Sequence, residues 1–369
     1  MRVFAGLMLA ALVFVQVPVV EQGFPELTPG VARRLDAAVR RVMGTAAVPG
    51  AIVGLHVPGK GAYVRAFGLA DQVSGARMSP DLYMRIGSVT KTFTVTAVLQ
   101  LADRGALSLD DPIGEYVGGV PNGSRITLRH LAAMRSGLHD YSADEAFGKI
   151  LLADPKRAFA PRELLAYSFK HPVRFRPGER HQYSNTDMIL LGLAVEKAGG
   201  LPLAAYLERN ILKPAGLTRT FLPPGAALPK PYAHGYTDQT VTGAITDATG
   251  WNPSWGWAAG GMVSTLQDLR TWARVLATGA LLLPKTHAER VRTDPGGYGL
   301  GLIDAHGWIG HNGSLPGYEA VAVYLPEERA TLVVLLNTDV VHRDTEPSTL
   351  VARAITDVVT PGRPYRLPG

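Results

Sequence analysis

The chain has 369 residues, of which 46% are hydrophobic and 18% charged, so it can bury a substantial core and is not expected to be disordered. The formal net charge is +6, but lysine and arginine never form a run of five or more, which argues against a nucleic-acid partner. There is no cysteine, which excludes thiol nucleophiles, disulfides and thiolate metal sites and favours serine chemistry.

Residues 1–23 are predicted to be a secretory signal or an N-terminal anchor. Met1-Arg2 is followed by an apolar, uncharged run that reaches Val20, which is the order of the charged and apolar regions of an export signal. The run does not end in an Ala-x-Ala cleavage site, so an uncleaved anchor in contact with the membrane stays open. We expect an extracytoplasmic protein, either secreted or held at the membrane by this segment.

The remaining chain is predicted to alternate strands and helices at its two ends around a helical middle. Before the middle, the pattern predicts a helix over 29–43, a hairpin of strands 51–56 and 62–67, and a buried helix from Ser88 to Arg104. A helical subdomain is expected over about 106–230, with helices over 127–134, 161–171 and 185–197. After it, we expect a helix over 265–278, strands over 308–311, 320–325 and 331–336, and a helix over 348–359.

These elements predict an α/β (α+β) fold, in which an antiparallel β-sheet is flanked by helices and carries an inserted all-helical subdomain. Residues 24–361 would form one domain, and residues 362–369 would be a C-terminal tail. No internal repeat interrupts this arrangement.

Ser88 and Lys91 are the first candidates for chemistry. Three residues apart on a helix, they share one face, so the amine of Lys91 can reach the hydroxyl of Ser88. A serine becomes a strong nucleophile when a base removes its proton, and burial in an apolar helix favours the neutral lysine that this requires. The alternative is that Ser88 only caps the helix and Lys91 is solvated.

Tyr183 and Asn185 form the second candidate group, in the only Tyr-x-Asn of the chain. A phenol beside a lysine can relay a proton to a leaving group, and a side-chain amide can hold a substrate carbonyl or the lysine. The alternative for Tyr183 is an ordinary loop aromatic.

The third group is His311, Asn312, Gly313 and Ser314, expected at the end of a strand. Glycine there allows a ligand to approach the backbone closely, and an edge strand could pair with a peptide-like substrate. A similar pattern at Lys197-Ala198-Gly199 is interpreted as a helix end, because lysine and glycine both favour that position. No metal site is expected, because the ten histidines are scattered singly.

In this order, Ser-x-x-Lys, Tyr-x-Asn and His-x-Gly resemble the three active-site motifs of the penicillin-recognising serine hydrolases, which include class C β-lactamases and D-alanyl-D-alanine carboxypeptidases. The resemblance extends from about Gly50 to Thr338. It also includes Arg85-Ile86-Gly87, Arg135-Ser136-Gly137-Leu138, Pro177-Gly178, Ala259-Gly260-Gly261 and Tyr298-Gly299-Leu300-Gly301-Leu302.

The resemblance implies a role for each candidate. Ser88 would be the acylated nucleophile, Lys91 and Tyr183 the proton-transfer pair, and His311 an electrostatic support. Asn185 would orient the substrate, and the backbone N–H groups of Ser88 and Ser314 would bind the oxyanion. No cofactor or metal is implied.

The histidine in the third motif, where class C β-lactamases usually have lysine, is similar to that of the serine carboxypeptidases and of esterases and aminopeptidases of the family. This resemblance favours a carboxypeptidase-like enzyme that acts on peptidoglycan-type peptides. One departure points elsewhere: residues 303–310 lack the arginine that those enzymes use for the substrate carboxylate, and only His306 and Asn312 could substitute. A β-lactamase, esterase or amidase on the same residues is therefore an alternative. An alternative from another class is a penicillin- or cell-wall-binding homologue that is acylated without turnover.

Overall fold

The computed structural model describes residues 25–367, so the predicted leader at residues 1–23 lies outside the described part of the chain. The strands of this part are β1 (Gly50–Val57), β2 (Gly61–Gly68), β3 (Met84–Arg85), β4 (Tyr236–Thr237), β5 (Thr246–Asp247), β6 (Val263–Ser264), β7 (Ile303–Ala305), β8 (Trp308–Leu315), β9 (Tyr318–Leu325) and β10 (Ala330–Leu336). Its α-helices are α1 (Pro29–Thr45), α2 (Thr90–Asp103), α3 (Leu128–Ala132), α4 (Glu145–Ala153), α5 (Pro161–Phe169), α6 (Asn185–Gly199), α7 (Leu203–Leu207), α8 (Lys213–Ala215), α9 (Trp257–Gly260), α10 (Leu266–Thr278), α11 (Pro284–Arg290) and α12 (Pro347–Val359).

Six strands form one antiparallel sheet in the order β2-β1-β10-β9-β8-β7. The predicted hairpin is confirmed, because β1 and β2 pair over their whole length around a short turn. Pairing of β1 with β10 joins the two ends of the domain, since these strands lie almost 300 residues apart in sequence. The predicted α/β fold, with a mostly antiparallel sheet flanked by helices, is thus confirmed.

Both faces of the sheet are covered. One apolar cluster, which includes Leu35, Trp308 and Tyr365, lies between the sheet and the packed helices α1 and α12. A larger cluster lies on the other face, around α2, α6 and α10. Burial on both sides explains why every residue of β9 and β10 is buried, and why these strands are apolar at all positions except Glu319 and Thr331 rather than alternating.

Helix α2 is the centre of the larger cluster. Every residue from Thr90 to Leu101 is buried, including the polar side chains of Lys91 and Gln100, so the helix is packed on all sides. The helix was expected to begin at Ser88, but residues Gly87–Val89 form a 3₁₀ turn that precedes it. Gly87 has a φ of 49°, outside the α-helical region, so this residue cannot belong to the α-helix that follows.

Within the described chain, the segment between β2 and β4 is mostly helical and contains α3 to α8. Three of these helices match the predicted ones within a few residues, whereas α4 and the helices over 203–215 were not predicted. No single helix within residues 25–367 is long and apolar enough to cross a bilayer, although α6 and the 203–215 segment pass that test jointly as a pair bent by 72°.

The third motif was expected at the end of a strand, but His311–Ser314 lie inside β8, which extends to Leu315. Strand β8 pairs with β9 along its length and with β7 only through Trp308, Ile309 and Gly310. Beyond Gly310, the same edge of β8 meets the 3₁₀ turn at Gly87–Val89 instead of another strand. The motif therefore lies where the sheet ends and the helical part of the molecule begins.

Candidate active site

Ser88 lies in the 3₁₀ turn at the start of α2, and its hydroxyl oxygen accepts two hydrogen bonds. Lys91 Nζ donates one at 2.7 Å, and the Tyr183 hydroxyl donates the other at 2.9 Å. The turn carries Ser88 one helical turn before Lys91, while α6 begins two residues after Tyr183. The first and second motifs thus meet at one oxygen atom, as their chemistry predicts.

Lys91 is completely buried, and its amine also donates to the Ala259 carbonyl oxygen at 2.7 Å. Burial lowers the pKa of Lys91 to about 7, and the nearby charge of Asp140 opposes this shift only in part. A large fraction of Lys91 is therefore neutral near pH 7 and able to accept a proton from Ser88.

Tyr183 keeps 38% of its surface exposed, yet its hydroxyl lies against Ser88 and its ring lies 4.9 Å from Lys91 Nζ. Desolvation raises the pKa of Tyr183 well above its usual value. The phenol is therefore protonated at neutral pH and is suited to donate a proton.

Asn185 is the first residue of α6, and its side-chain amide is held by two acceptors. Its Nδ2 donates to Asp140 Oδ2 at 3.2 Å and to Ser142 Oγ at 3.1 Å. Because both bonds use the amino group, the amide oxygen stays available as an acceptor for a substrate N–H. Asp140 caps the 3₁₀ turn Tyr141–Ala143 and was not recognised in the sequence, although it lies only two residues after the Ser-Gly-Leu motif.

His311 is buried on β8, beside Tyr183 and Tyr298. Burial, with a further contribution from Lys91, lowers the pKa of His311 to about 3, so this imidazole is neutral at pH 7. The resemblance implied that His311 gives electrostatic support, but a neutral His311 ring provides no positive charge.

Two glycines allow β8 to approach the turn that carries the nucleophile. A Cβ atom on Gly313 would lie 2.6 Å from the Ser88 backbone nitrogen and 2.2 Å from the Ile86 carbonyl oxygen. A Cβ atom on Gly87 would lie 2.6 Å from the Ser314 backbone nitrogen. The backbone amides of Ser88 and Ser314 therefore border the same narrow gap, where two N–H groups can bind an oxyanion.

Two cavities open on either side of Ser88 and Ser314, and both include these residues in their walls. The cavity on the Asn185 side, called here the apolar cavity, has a volume of about 450 Å³ and includes Phe147, Leu151 and Trp255. The cavity on the His311 side, called here the polar cavity, has a volume of about 490 Å³ and includes His181, Tyr298, Asn312 and Glu346.

No arginine or lysine lines either cavity within the described chain. His306 lines neither cavity and so does not replace the missing carboxylate-binding arginine there, and Asn312 is held by Glu346, to which its Nδ2 donates at 2.7 Å. Lys197 lies elsewhere, in the last turn of α6, where Gly200 ends the helix with a φ of 67° as its sequence predicts.

Comparisons with known proteins agree with the order and geometry of the three motifs. The model of the family described as "Beta-lactamase" matches residues 35–355. The chain belongs to this family. Its relatives in the family include serine hydrolases with several activities, so membership establishes a serine hydrolase without defining the substrate.

Three curated relatives of the β-lactamase family illustrate this range. Esterase EstB from Burkholderia gladioli is 30% identical over 301 residues, which cover 73% of this chain and 76% of the esterase. The putative penicillin-binding protein PbpX from Bacillus subtilis is 28% identical, with 74% of this chain and 66% of the relative covered. The D-aminopeptidase from Brucella anthropi is 28% identical over 82% of this chain but 59% of its own length.

Solved structures agree with this membership. A D-stereospecific amidohydrolase from Streptomyces sp. superposes with a TM-score of 0.77 at 31% identity, covering 86% of this chain and 97% of the other. A D-amino acid amidase from Ochrobactrum anthropi, in complex with L-phenylalanine amide, superposes with a TM-score of 0.77 at 25% identity, covering 89% and 99%.

Proposed function

We propose that the protein hydrolyses esters or amides through an acyl-enzyme on Ser88. The observation that carries this proposal is the Ser88 hydroxyl, which accepts hydrogen bonds from a buried lysine of lowered pKa and from a protonated phenol. One group is suited to take a proton and the other to give one, which is what acyl transfer requires.

In acylation, neutral Lys91 removes the proton of Ser88 as the oxygen attacks the substrate carbonyl. The backbone N–H groups of Ser88 and Ser314 bind the oxyanion that forms. When the carbonyl re-forms, the bond to the leaving group breaks, and Tyr183 gives that group its proton. Tyr183 then recovers a proton from the Lys91 ammonium, which returns both side chains to their first state.

Deacylation repeats the sequence with water. Neutral Lys91 removes a proton from water as the oxygen attacks the acyl carbonyl. The bond to Ser88 breaks, and Lys91 returns the proton to the serine oxygen. The released product is a carboxylic acid, and no cofactor or metal takes part in this scheme.

Substrates without a carboxylate fit the two cavities better than a D-alanyl-D-alanine peptide. A buried carboxylate is costly unless a cation or several hydrogen-bond donors pair with it, and no arginine or lysine lines either cavity within the described residues. Carboxypeptidase activity remains the second candidate, supported by the His311-Asn312-Gly313 motif and by the edge of β8 beside Ser88.

The proposal is tested by intact mass spectrometry with a fluorophosphonate probe on the wild-type protein and on Ser88→Ala. We expect one adduct on the wild type and none on the variant, and an adduct on Ser88→Ala would overturn the proposal. Hydrolysis of a p-nitrophenyl ester, a D-phenylalanine amide, a D-alanyl-D-alanine peptide and a cephalosporin would then define the activity. Labelling without turnover of any substrate would identify the protein as a penicillin-binding homologue instead.

A further inference from the structure

The polar cavity contains several hydrogen-bonding atoms that the described residues leave unpaired. His311 Nε2, His181 Nε2 and the Tyr298 hydroxyl are buried without a hydrogen-bond partner in the described chain, and all three side chains line this cavity. Buried polar atoms in proteins are almost always paired, so three such atoms around one cavity beside a nucleophile indicate a polar ligand.

The protonation of His311 decides what kind of ligand atom it can meet. Its Nδ1 lies 2.5 Å from the Asn312 backbone carbonyl, which can only accept, so Nδ1 carries the hydrogen. Because the ring is neutral, Nε2 then has a free lone pair and is an acceptor. The cavity thus presents an acceptor at the position where the family resemblance implied electrostatic support.

Glu346 adds an acidic group to the same cavity. It lies at the N-terminus of α12, which favours a carboxylate, and Asn312 Nδ2 donates to its Oε2 at 2.7 Å. Its acidic neighbour Glu319 is fully buried, and burial raises the pKa of Glu319 to about 8, so that group is uncharged at pH 7. Burial also raises the pKa of Glu346, whereas the bond from Asn312 lowers it. Glu346 makes no ion pair with any described residue.

We propose that the polar cavity binds an amino group of the substrate as an ammonium, with Glu346 as its counter-ion and His311 Nε2 as a hydrogen-bond acceptor. The inference rests on the proposed hydrolase function and names its substrate class: esters and amides that carry a free amine close to the bond that breaks. An ammonium has donors only, and it therefore matches a cavity whose acidic side chain and oriented imidazole both offer acceptor atoms. Asn312 is a positioning residue that holds the Glu346 carboxylate.

The test measures selectivity within matched substrates. One set consists of benzamides whose leaving groups are ethylenediamine, propylamine and 3-aminopropanoate, which end in an ammonium, a methyl group and a carboxylate. A second set places the amine on the acyl part, with phenylalanine p-nitroanilide in both enantiomers and the 3-phenylpropanoyl analogue that lacks the amine. The values of kcat/KM are compared for wild type, Glu346→Gln, Glu346→Asp and Glu208→Gln, a remote exposed control with the same loss of charge.

We expect wild type to prefer the ammonium member over the neutral member in at least one set, and the carboxylate to be the poorest substrate. Glu346→Gln should reduce the ammonium-to-neutral ratio about tenfold or more and raise the carboxylate-to-neutral ratio. Glu346→Asp should restore part of the preference, and Glu208→Gln should leave both ratios as in wild type. A wild type without ammonium preference in either set, or a Glu346→Gln variant with unchanged ratios, would refute the subsite.

Failure of the ammonium subsite can be distinguished from failure of the proposed hydrolase function. Fluorophosphonate labelling of Ser88 and hydrolysis of the neutral substrates report the hydrolase itself. If both succeed while the ratios contradict the expectation, the ammonium subsite alone is wrong. If neither occurs, the proposed function is wrong and the subsite is refuted with it.

Discussion

Lys91 is expected to set the lower pH limit of activity on an uncharged ester. Its pKa of about 7 means that roughly half of the side chain is neutral at pH 7 but only about 1% at pH 5, so kcat/KM should fall about fiftyfold between these values. Lys91 acts as a base only when it is deprotonated, so kcat/KM should rise with pH through the pKa of Lys91 and then level off.

The assay uses an uncharged ester, with the acid product quantified after quenching, from pH 5 to pH 9. His311, with a pKa of about 3, would not titrate in this range. Glu319, with a pKa of about 8, bonds to the Ser348 backbone rather than to Ser88, Lys91 or Tyr183, so an inflection near pH 7 is assigned to Lys91. Lys91→Arg keeps a cation that cannot act as a base at these pH values, and it should lose activity about a hundred- to ten-thousand-fold. A pH-independent rate in the wild type, or an active Lys91→Arg variant, would contradict a lysine base.

Three further predictions follow from the same site. Tyr183→Phe should slow amide hydrolysis much more than p-nitrophenyl ester hydrolysis, because only the amine leaving group needs a proton; equal losses would rule out Tyr183 as its donor. Gly313→Ala should reduce kcat and lower the free energy of unfolding by about 1–3 kcal/mol, because the added methyl group would displace Ser88 or Ile86; urea titration that detects no change would contradict the close approach. Lys91→Met should have a higher free energy of unfolding than wild type at pH 7, by up to about 4 kcal/mol. Between pH 7 and the ordinary lysine pKa of 10.5, unfolded Lys91 binds a proton that folded Lys91 lacks, which favours the unfolded wild type. The advantage of the variant should therefore shrink as the pH approaches 10.5.

Local patterns in the sequence predicted the elements that depend on local physics. The hairpin of β1 and β2 has a glycine-containing turn between its strands, and β9 and β10 are two apolar runs joined by a turn of proline and charged residues at 326–329. The spacing of Ser88 and Lys91 places both on one helical face, whichever fold surrounds them. The nucleophile and its nearest base were therefore accessible from the sequence.

Long-range packing decided the features that the sequence did not predict. The 3₁₀ turn at Ser88 depends on the approach of β8, which is more than 200 residues away and fits only because Gly87 and Gly313 lack a Cβ. The Ala259 carbonyl that holds Lys91 comes from helix α9, and the Asp140 carboxylate that holds Asn185 comes from the residue before the 3₁₀ turn Tyr141–Ala143, so both reach the site from distant segments.

The sequence by itself determined which groups could react: a serine with a lysine one turn away, a tyrosine, and a histidine beside glycine. The tertiary structure decided their protonation. Burial makes Lys91 a base near neutral pH, keeps Tyr183 a phenol and removes the charge from His311. The physical reason is that a pKa depends on the loss of solvent and on neighbouring charges, which exist only once distant segments have packed together.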